Sequence, residues 1–98
     1  MDYKVVLSPS ARADIREIVR YISWDAPDRA LAFGRFLISK TKWLGQFPEA
    51  GRIVPEFNVP TIREIIVRSY RVIYRVEDEK KKVAVARFWH SARGEPQL

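Results

Sequence analysis

The 98-residue sequence has no cysteine. That excludes disulfides, thiolate nucleophiles and cysteine-based metal sites. It also has no apolar run near the roughly 18 residues that a membrane-spanning helix needs, so no span is expected. The opening Met1-Asp2-Tyr3-Lys4 lacks the charged-then-apolar layout of a secretory signal, which makes a cytoplasmic location the expectation. Histidine occurs once, as His90, with no second histidine and no carboxylate cluster beside it. A metal site is therefore not expected, and no cofactor is implied. The four glycines are scattered, so there is no phosphate-cradling loop. Ser69 and Ser91 sit in no nucleophile elbow. Repeats and low-complexity segments are absent too.

What is there is charge and apolar periodicity. The length suits one domain over residues 1–98, and 47% apolar residues is near the globular average. The formal net charge is +6. Residues 1–50 hold eight Lys/Arg against six Asp/Glu, and residues 51–98 hold ten against six, giving +2 and +4. A basic excess biased to the second half implies an acidic partner, either nucleic acid or an acidic protein segment.

Tyr3–Leu7 is β-prone and reads as a first strand. Ser8-Pro9 follows, an N-cap hydroxyl and then a proline whose missing N–H costs nothing at the first helical position. Ala11, Ile15, Ile18, Val19 and Ile22 recur at helical spacing, and Arg12, Asp14, Arg16, Glu17 and Arg20 read mostly off that stripe. The spacing predicts a helix over about 9–23. Asp25-Ala26-Pro27-Asp28 predicts a second helix capped by Asp25, and Pro48 and Gly51 are expected to close it. So short a link implies an antiparallel helix hairpin. Beyond Gly51 the period falls to two. Strands are predicted over 63–68, from Tyr70 to about Glu77, and over 83–90, with a turn at Ser69 and a charged hairpin at 78–81. Residues 94–98 are expected to fray. The fold class is α+β: an N-terminal strand, then a helix hairpin on one face of an antiparallel sheet. The other face is expected to meet solvent or a partner and to carry several arginines.

The candidate residues for chemistry are basic and aromatic and lie on the late strands: Arg63, Arg68, Tyr70, Arg71, Arg75, Arg87, His90 and Arg93. Metal-free RNA cleavage needs a base for the 2′-hydroxyl, cations for the developing phosphorane charge and an acid for the leaving oxygen. Arg71 and Arg87 suit the cations, and Glu64 or His90 the proton transfers. Plainer roles stand beside these. Tyr70 and Tyr74 suit strand packing, and Glu64 suits pairing with a neighbouring arginine. Trp24, Trp43 and Trp89 suit the core or the helix hairpin, and Lys80–Lys82 suits a solvated turn.

Gly51-Arg52…Val54-Pro55-Glu56, Arg63-Glu64-Ile65-Ile66-Val67, Tyr70-Arg71-Val72-Ile73-Tyr74-Arg75-Val76 and Arg87-Phe88-Trp89-His90-Ser91-Ala92-Arg93 form an ordered set. With Leu7-Ser8-Pro9…Ala13-Asp14-Ile15 they resemble the RelE/ParE toxins of type II toxin–antitoxin systems, often called plasmid stabilisation proteins. The resemblance runs from about residue 3 to 95. It implies a cytoplasmic toxin neutralised by a cognate antitoxin in a hetero-oligomer. It also implies one of two targets. ParE-like members block DNA gyrase and are not enzymes. RelE-like members are mRNA interferases, metal-independent endoribonucleases acting in the ribosomal A site. His90-Ser91-Ala92-Arg93 resembles the ParE branch. Glu64 and Ile66 stand where RelE-like nucleases carry closely spaced lysines, and no tyrosine follows Arg93. The resemblance therefore favours gyrase, with Arg63, Arg68, Tyr70, Arg75, Arg87 and Arg93 as target- or nucleic-acid-binding residues. A nuclease built from Glu64, Arg71 and His90 is the alternative. A non-toxic orphan binding module is a further one.

Overall fold

The structure, a computed structural model, describes residues 2–98, so the opening Met1 lies outside it. β1 spans Lys4–Leu7 and α1 spans Pro9–Ser23. Ser8 sets this junction with one hydroxyl. Its Oγ accepts from the Ala11 N–H at 3.0 Å, capping the helix, and donates to the Ala86 carbonyl at 3.0 Å. α2 spans Pro27–Ser39. Its cap is Ala26 rather than the expected Asp25, and no side chain bonds there; Asp28 supplies the carboxylate of the first turn.

α2 also ends well before Pro48. The chain turns at Thr41 into a 3₁₀ turn over Lys42–Gly45. Tertiary contact decides this. Leu44 is fully buried, and the Tyr3 N–H donates to the Gly45 carbonyl at 2.8 Å. A Cβ on Gly45 would lie 2.5 Å from the Tyr3 carbonyl oxygen, so only glycine lets the turn approach β1 so closely. Trp43 is left at the surface, and Trp24 is 83% exposed at the hairpin tip. Of the three tryptophans expected to pack inside, Trp89 alone does.

The remaining strands are β2 at Arg52–Ile53, β3 at Ile62–Val67, β4 at Tyr70–Glu77 and β5 at Lys82–His90. The sheet order is β1-β5-β4-β3-β2. β3 to β5 pair antiparallel as expected, the short β2, not predicted from the sequence, pairs antiparallel with β3, and β1 joins β5 in parallel, so the sheet is mixed. Ile73 faces Arg87 while Tyr74 faces Val85, which makes Ala86 the extra residue of a β-bulge. Among the described residues, no helix is long and apolar enough to cross a membrane.

The main core lies between the helices and one sheet face, with Ile18, Leu37, Val72, Tyr74, Val85 and Phe88 at its centre. The outer face is not left bare as expected. Val54, Ile73 and Trp89 form a second core there, with Phe57 and Ile62 packed on it. The C-terminal tail does not fray either. Trp89 Nε1 donates to the Gly94 carbonyl at 3.1 Å, Arg87 Nη1 donates to the Gln97 carbonyl at 2.9 Å, and Pro96 is buried.

Tyr74 joins the sheet to the loop before β2. Its hydroxyl donates to the Pro48 carbonyl at 2.8 Å and accepts from the Gly51 N–H at 2.9 Å. Burial pushes this phenol's pKa up. A Cβ on Gly51 would sit 2.4 Å from the Glu64 carbonyl oxygen, so the chain can pass this close to β3 only as glycine. Tyr74→Phe leaves two buried backbone groups unpaired and is expected to lower stability by about 1–3 kcal/mol in urea denaturation. An unchanged midpoint would show that the hydroxyl holds nothing.

Candidate functional site

β1 accompanies β5 only as far as Val85, so the second half of β5 has an open outer edge. α1 closes it with Asp14. One carboxylate oxygen accepts from the Phe88 N–H at 2.9 Å and from Arg87 Nε at 2.8 Å, and the other accepts from Arg87 Nη2 at 2.9 Å. Asp14 reads as off-stripe from its chemistry, yet it is buried with Ala11 and Ile18, three and four residues away on α1. The hydrogen bonds to Asp14 push the Arg87 pKa further up. The Arg87 guanidinium also lies 4.9 Å from the Trp89 ring centre.

A cleft of about 600 Å³ opens beside this edge, between α1 and the ends of β4 and β5. Tyr70, Arg87, His90 and Arg93 line it with Glu17 and Tyr21 of α1. Tyr70 and His90 are register partners, and their rings meet edge to face at 5.1 Å. His90 Nδ1 accepts from the Ala92 N–H at 3.1 Å, which leaves the ring proton of the neutral form on Nε2. Burial, with Tyr21 adding to it, pushes the Tyr70 phenol up. Arg93 lies 4.0 Å over the Trp89 ring and, among the described residues, is in no ion pair. Four of the nine candidate residues therefore converge on one cleft. Arg87 is already committed to Asp14, and His90 and Arg93 are exposed.

Glu64 and Arg71 meet elsewhere, on the outer sheet face. Arg71 Nε donates to one Glu64 oxygen at 2.6 Å and Nη2 to the other at 3.2 Å. Its Nη1 and Nη2 also donate to the two oxygens of Glu56 at 2.8 and 2.6 Å. Arg52 Nε reaches Glu64 at 2.7 Å. The Glu64 side chain is 0% exposed, so its charge is tolerable only because two guanidinium groups surround it. The paired carboxylates push the Arg71 pKa up, and the Arg71 hydrogen bonds lower that of Glu56 to about 2. Tyr70, the partner of His90, packs on the helix-side core, so His90 lies across the sheet from Glu64 and Arg71.

The other candidates stand apart. Arg63 donates to the Gly51 and Pro60 carbonyls, on the Tyr74 side of the sheet. Arg68 occupies the turn before β4 at φ 56° and lies 4.9 Å over the Phe36 ring. Arg75 is exposed on the outer face. Asp14, Glu17, Tyr21, Arg52 and Glu56 were not among the candidates. For Asp14 a signal existed in its spacing from Ala11 and Ile18. Glu56 sits in a loop, and no local pattern ties it to Arg71.

Residues 5–94 match the family described as the ParE toxin of type II toxin–antitoxin system, parDE. The chain belongs to that ParE toxin family. It is therefore the toxin of a type II system in the ParE/RelE group, with a cognate antitoxin as its partner. The same fold occurs in the chromosomal ParDE system of P. aeruginosa, at a TM-score of 0.76 and 21% identity over 90% of this chain and 95% of that one. It occurs also in the RelBE2 toxin–antitoxin complex of Mycobacterium tuberculosis, at 0.61 and 22% over 92% and 99%. No curated protein sequence matches this ParE-family chain significantly.

The depressed Glu56 pKa has a consequence for acid stability. The folded value, about 2, lies below the ordinary 4.5, so the Glu56–Arg71 pair stabilises fully above about pH 4.5 and fades as pH falls toward 2. Thermal melts of Glu56→Gln should lie below those of the natural sequence at pH 7 and merge with them near pH 2. A constant gap across that range would refute the linkage.

Proposed function

We propose that this toxin acts by binding DNA gyrase and not by cutting RNA. The supporting observation is the disposition of Glu64, Arg71 and His90. An RNA-cleaving centre needs its base, its cation and its acid within reach of one phosphate. Here Arg71 has four hydrogen bonds to two carboxylates, Glu64 accepts from two arginines, and His90 lies across the sheet. Freeing Arg71 for a phosphate would leave the buried Glu64 charge under-compensated, at a cost of several kcal/mol. Membership of the ParE family points the same way.

In this reading the cleft beside β5 is a binding surface. Tyr70 and Tyr21 give it aromatic walls, and His90 Nε2 and the Arg93 guanidinium offer donors to acceptors on the target. Arg87, fixed by Asp14 and Trp89, holds the strand end that carries both. Residues 1–98 then act as one domain in the cytoplasm, where gyrase works and where an antitoxin segment restrains the toxin.

The test is a supercoiling assay with purified toxin. Inhibition at stoichiometric amounts is expected. His90→Ala and Arg93→Ala should each raise the half-inhibiting concentration about tenfold, the size of a 1.4 kcal/mol contact, with unchanged melting temperatures. Gyrase left untouched at stoichiometric excess rejects the proposal. Ribosome-dependent mRNA cleavage in a parallel translation reaction would assign the nuclease activity instead, and harmlessness in both would leave a binding module.

A further inference from the structure

Away from that cleft, a second one of about 650 Å³ lies where the 3₁₀ turn after α2 meets β1 and the start of the β4–β5 turn. Tyr3, Trp43, Phe47 and Pro48 form its walls, and Glu49 and Asp78 are its charged lining. Among the described residues, no lysine or arginine is part of its lining, although the chain carries a net charge of +6. Trp43 and Phe47 are 42% and 57% exposed, with their rings 6.1 Å apart. Large aromatics left this open do not serve the core.

The cleft is held in shape from beneath. The bond from the Tyr3 N–H to the Gly45 carbonyl fixes the spacing between the Tyr3 wall and the turn carrying Trp43. The Tyr74 hydroxyl pins the Pro48 carbonyl and the Gly51 N–H, which fixes the segment bearing Glu49. The Tyr3 hydroxyl donates to Asp78 Oδ1 at 2.5 Å. That hydrogen bond, then burial, then the charges of Asp78 and Glu49 push the Tyr3 phenol up, so both carboxylates act on the same space. Neither Glu49 nor Asp78 is in an ion pair among the described residues. Lys81 already sits 5.3 Å over the Tyr3 ring, so this wall accepts a cation within the chain itself.

We infer that this cleft receives an arginine side chain from a protein partner. Aromatic faces attract cations, and the carboxylates beside them, which have no ion-pair partner among the described residues, add hydrogen-bond acceptors, including the Asp78 oxygen not engaged by Tyr3. A guanidinium fits the pair better than an ammonium, because its plane stacks on Trp43 or Phe47 while its edge donates to Glu49 or Asp78. The cleft is wide and open, so a free small cation would leave most of the aromatic surface wet. A side chain delivered by a larger partner covers it. The site lies apart from Tyr70, His90 and Arg93, and its test does not depend on gyrase.

The test is an NMR titration of the full chain that follows the Trp43 indole N–H, assigned with Trp43→Phe. The ligands are the blocked tripeptide Ala-Arg-Ala, the same peptide with citrulline, which has the same shape without the charge, and agmatine as a free guanidinium. The arginine peptide should move the Trp43 signal saturably. The citrulline peptide should bind at least about threefold to fivefold more weakly, the range of an exposed ion pair. Glu49→Gln and Asp78→Asn, both conservative at the rim, should reduce arginine binding by a similar factor. Equal binding of the citrulline peptide, or a Trp43 signal that does not move, overturns the inference. Tighter binding of agmatine than of the peptide also overturns it, by assigning the site to a free cation.

Discussion

The single extra residue at Ala86 decides which side chains this toxin shows and which it hides. Before the bulge, Val83 and Val85 point into the helix-side core. Strict alternation would send Arg87 and Trp89 after them and expel Phe88. The bulge inverts the order, so Phe88 enters the core while Arg87 and Trp89 go to the outer face. Everything at the strand end follows from that step. Phe88 inside leaves its N–H at the sheet edge for Asp14, and Arg87 comes within reach of the same carboxylate. Trp89 outside becomes the platform for Arg87 and Arg93 and the anchor of the tail through Gly94. A bulge beside a functional end re-aims side chains at little cost, because the unpaired groups are satisfied locally. Here Ser8 supplies part of that satisfaction at the Ala86 carbonyl, so one residue caps α1 and closes the bulge.

The Glu64–Arg71–Glu56 cluster illustrates how arginines on a toxin surface can be structural. Replacing such a buried ionic network with apolar residues is often neutral for stability, whereas removing one member is costly. Its benefit here is positional. It draws Glu56, and with it the loop between β2 and β3, onto the sheet, where Phe57 and Val54 cover Ile73 and Trp89. A face that would otherwise carry a bare basic sheet becomes a second small core. The same pairing removes Arg71 and Arg52 from the pool of cations able to meet a phosphate.

Legibility in the sequence divided along a physical line. Features set by a few adjacent residues were readable. Ser8-Pro9 placed the start of α1, and the two-residue period placed β4. Features set by contacts distant in sequence were not. The parallel pairing of β1 with β5 joins residues 78 positions apart, and nothing in Lys4–Leu7 specifies its direction. The early end of α2 depends on Gly45 touching the backbone of Tyr3. Tryptophan's apolar mass suggested burial for Trp24 and Trp43, but Trp24 caps the end of α1 at the hairpin tip and Trp43 lies in the 3₁₀ turn after α2. Of the candidate site, the residue types were legible and their grouping was not. Tyr70, Arg87, His90 and Arg93 converge because the bulge and the strand pairing bring them together, while Glu64 and Arg71, as near in sequence, face the other way.

Net charge takes on a different meaning once the pairs are known. The +6, weighted to residues 51–98, implied an acidic partner, yet Arg87 is matched by Asp14, and Arg52 and Arg71 share Glu64 and Glu56. What remains to attract a polyanion is the charge of cations that have no carboxylate partner among the described residues, Arg68, Arg75 and Arg93 included, which sit at separate places on the surface. Near the aromatic cleft by Tyr3 the local balance shifts, because Glu49 and Asp78 line it and Lys81 is the cation over its Tyr3 wall. A surface divided in this way suits a protein with two kinds of partner. Exposed ion pairs contribute little affinity but much orientation, since like charges brought together are penalised. An acidic segment is thus steered toward the arginine-bearing turn and strand ends, and a basic one toward the aromatic cleft.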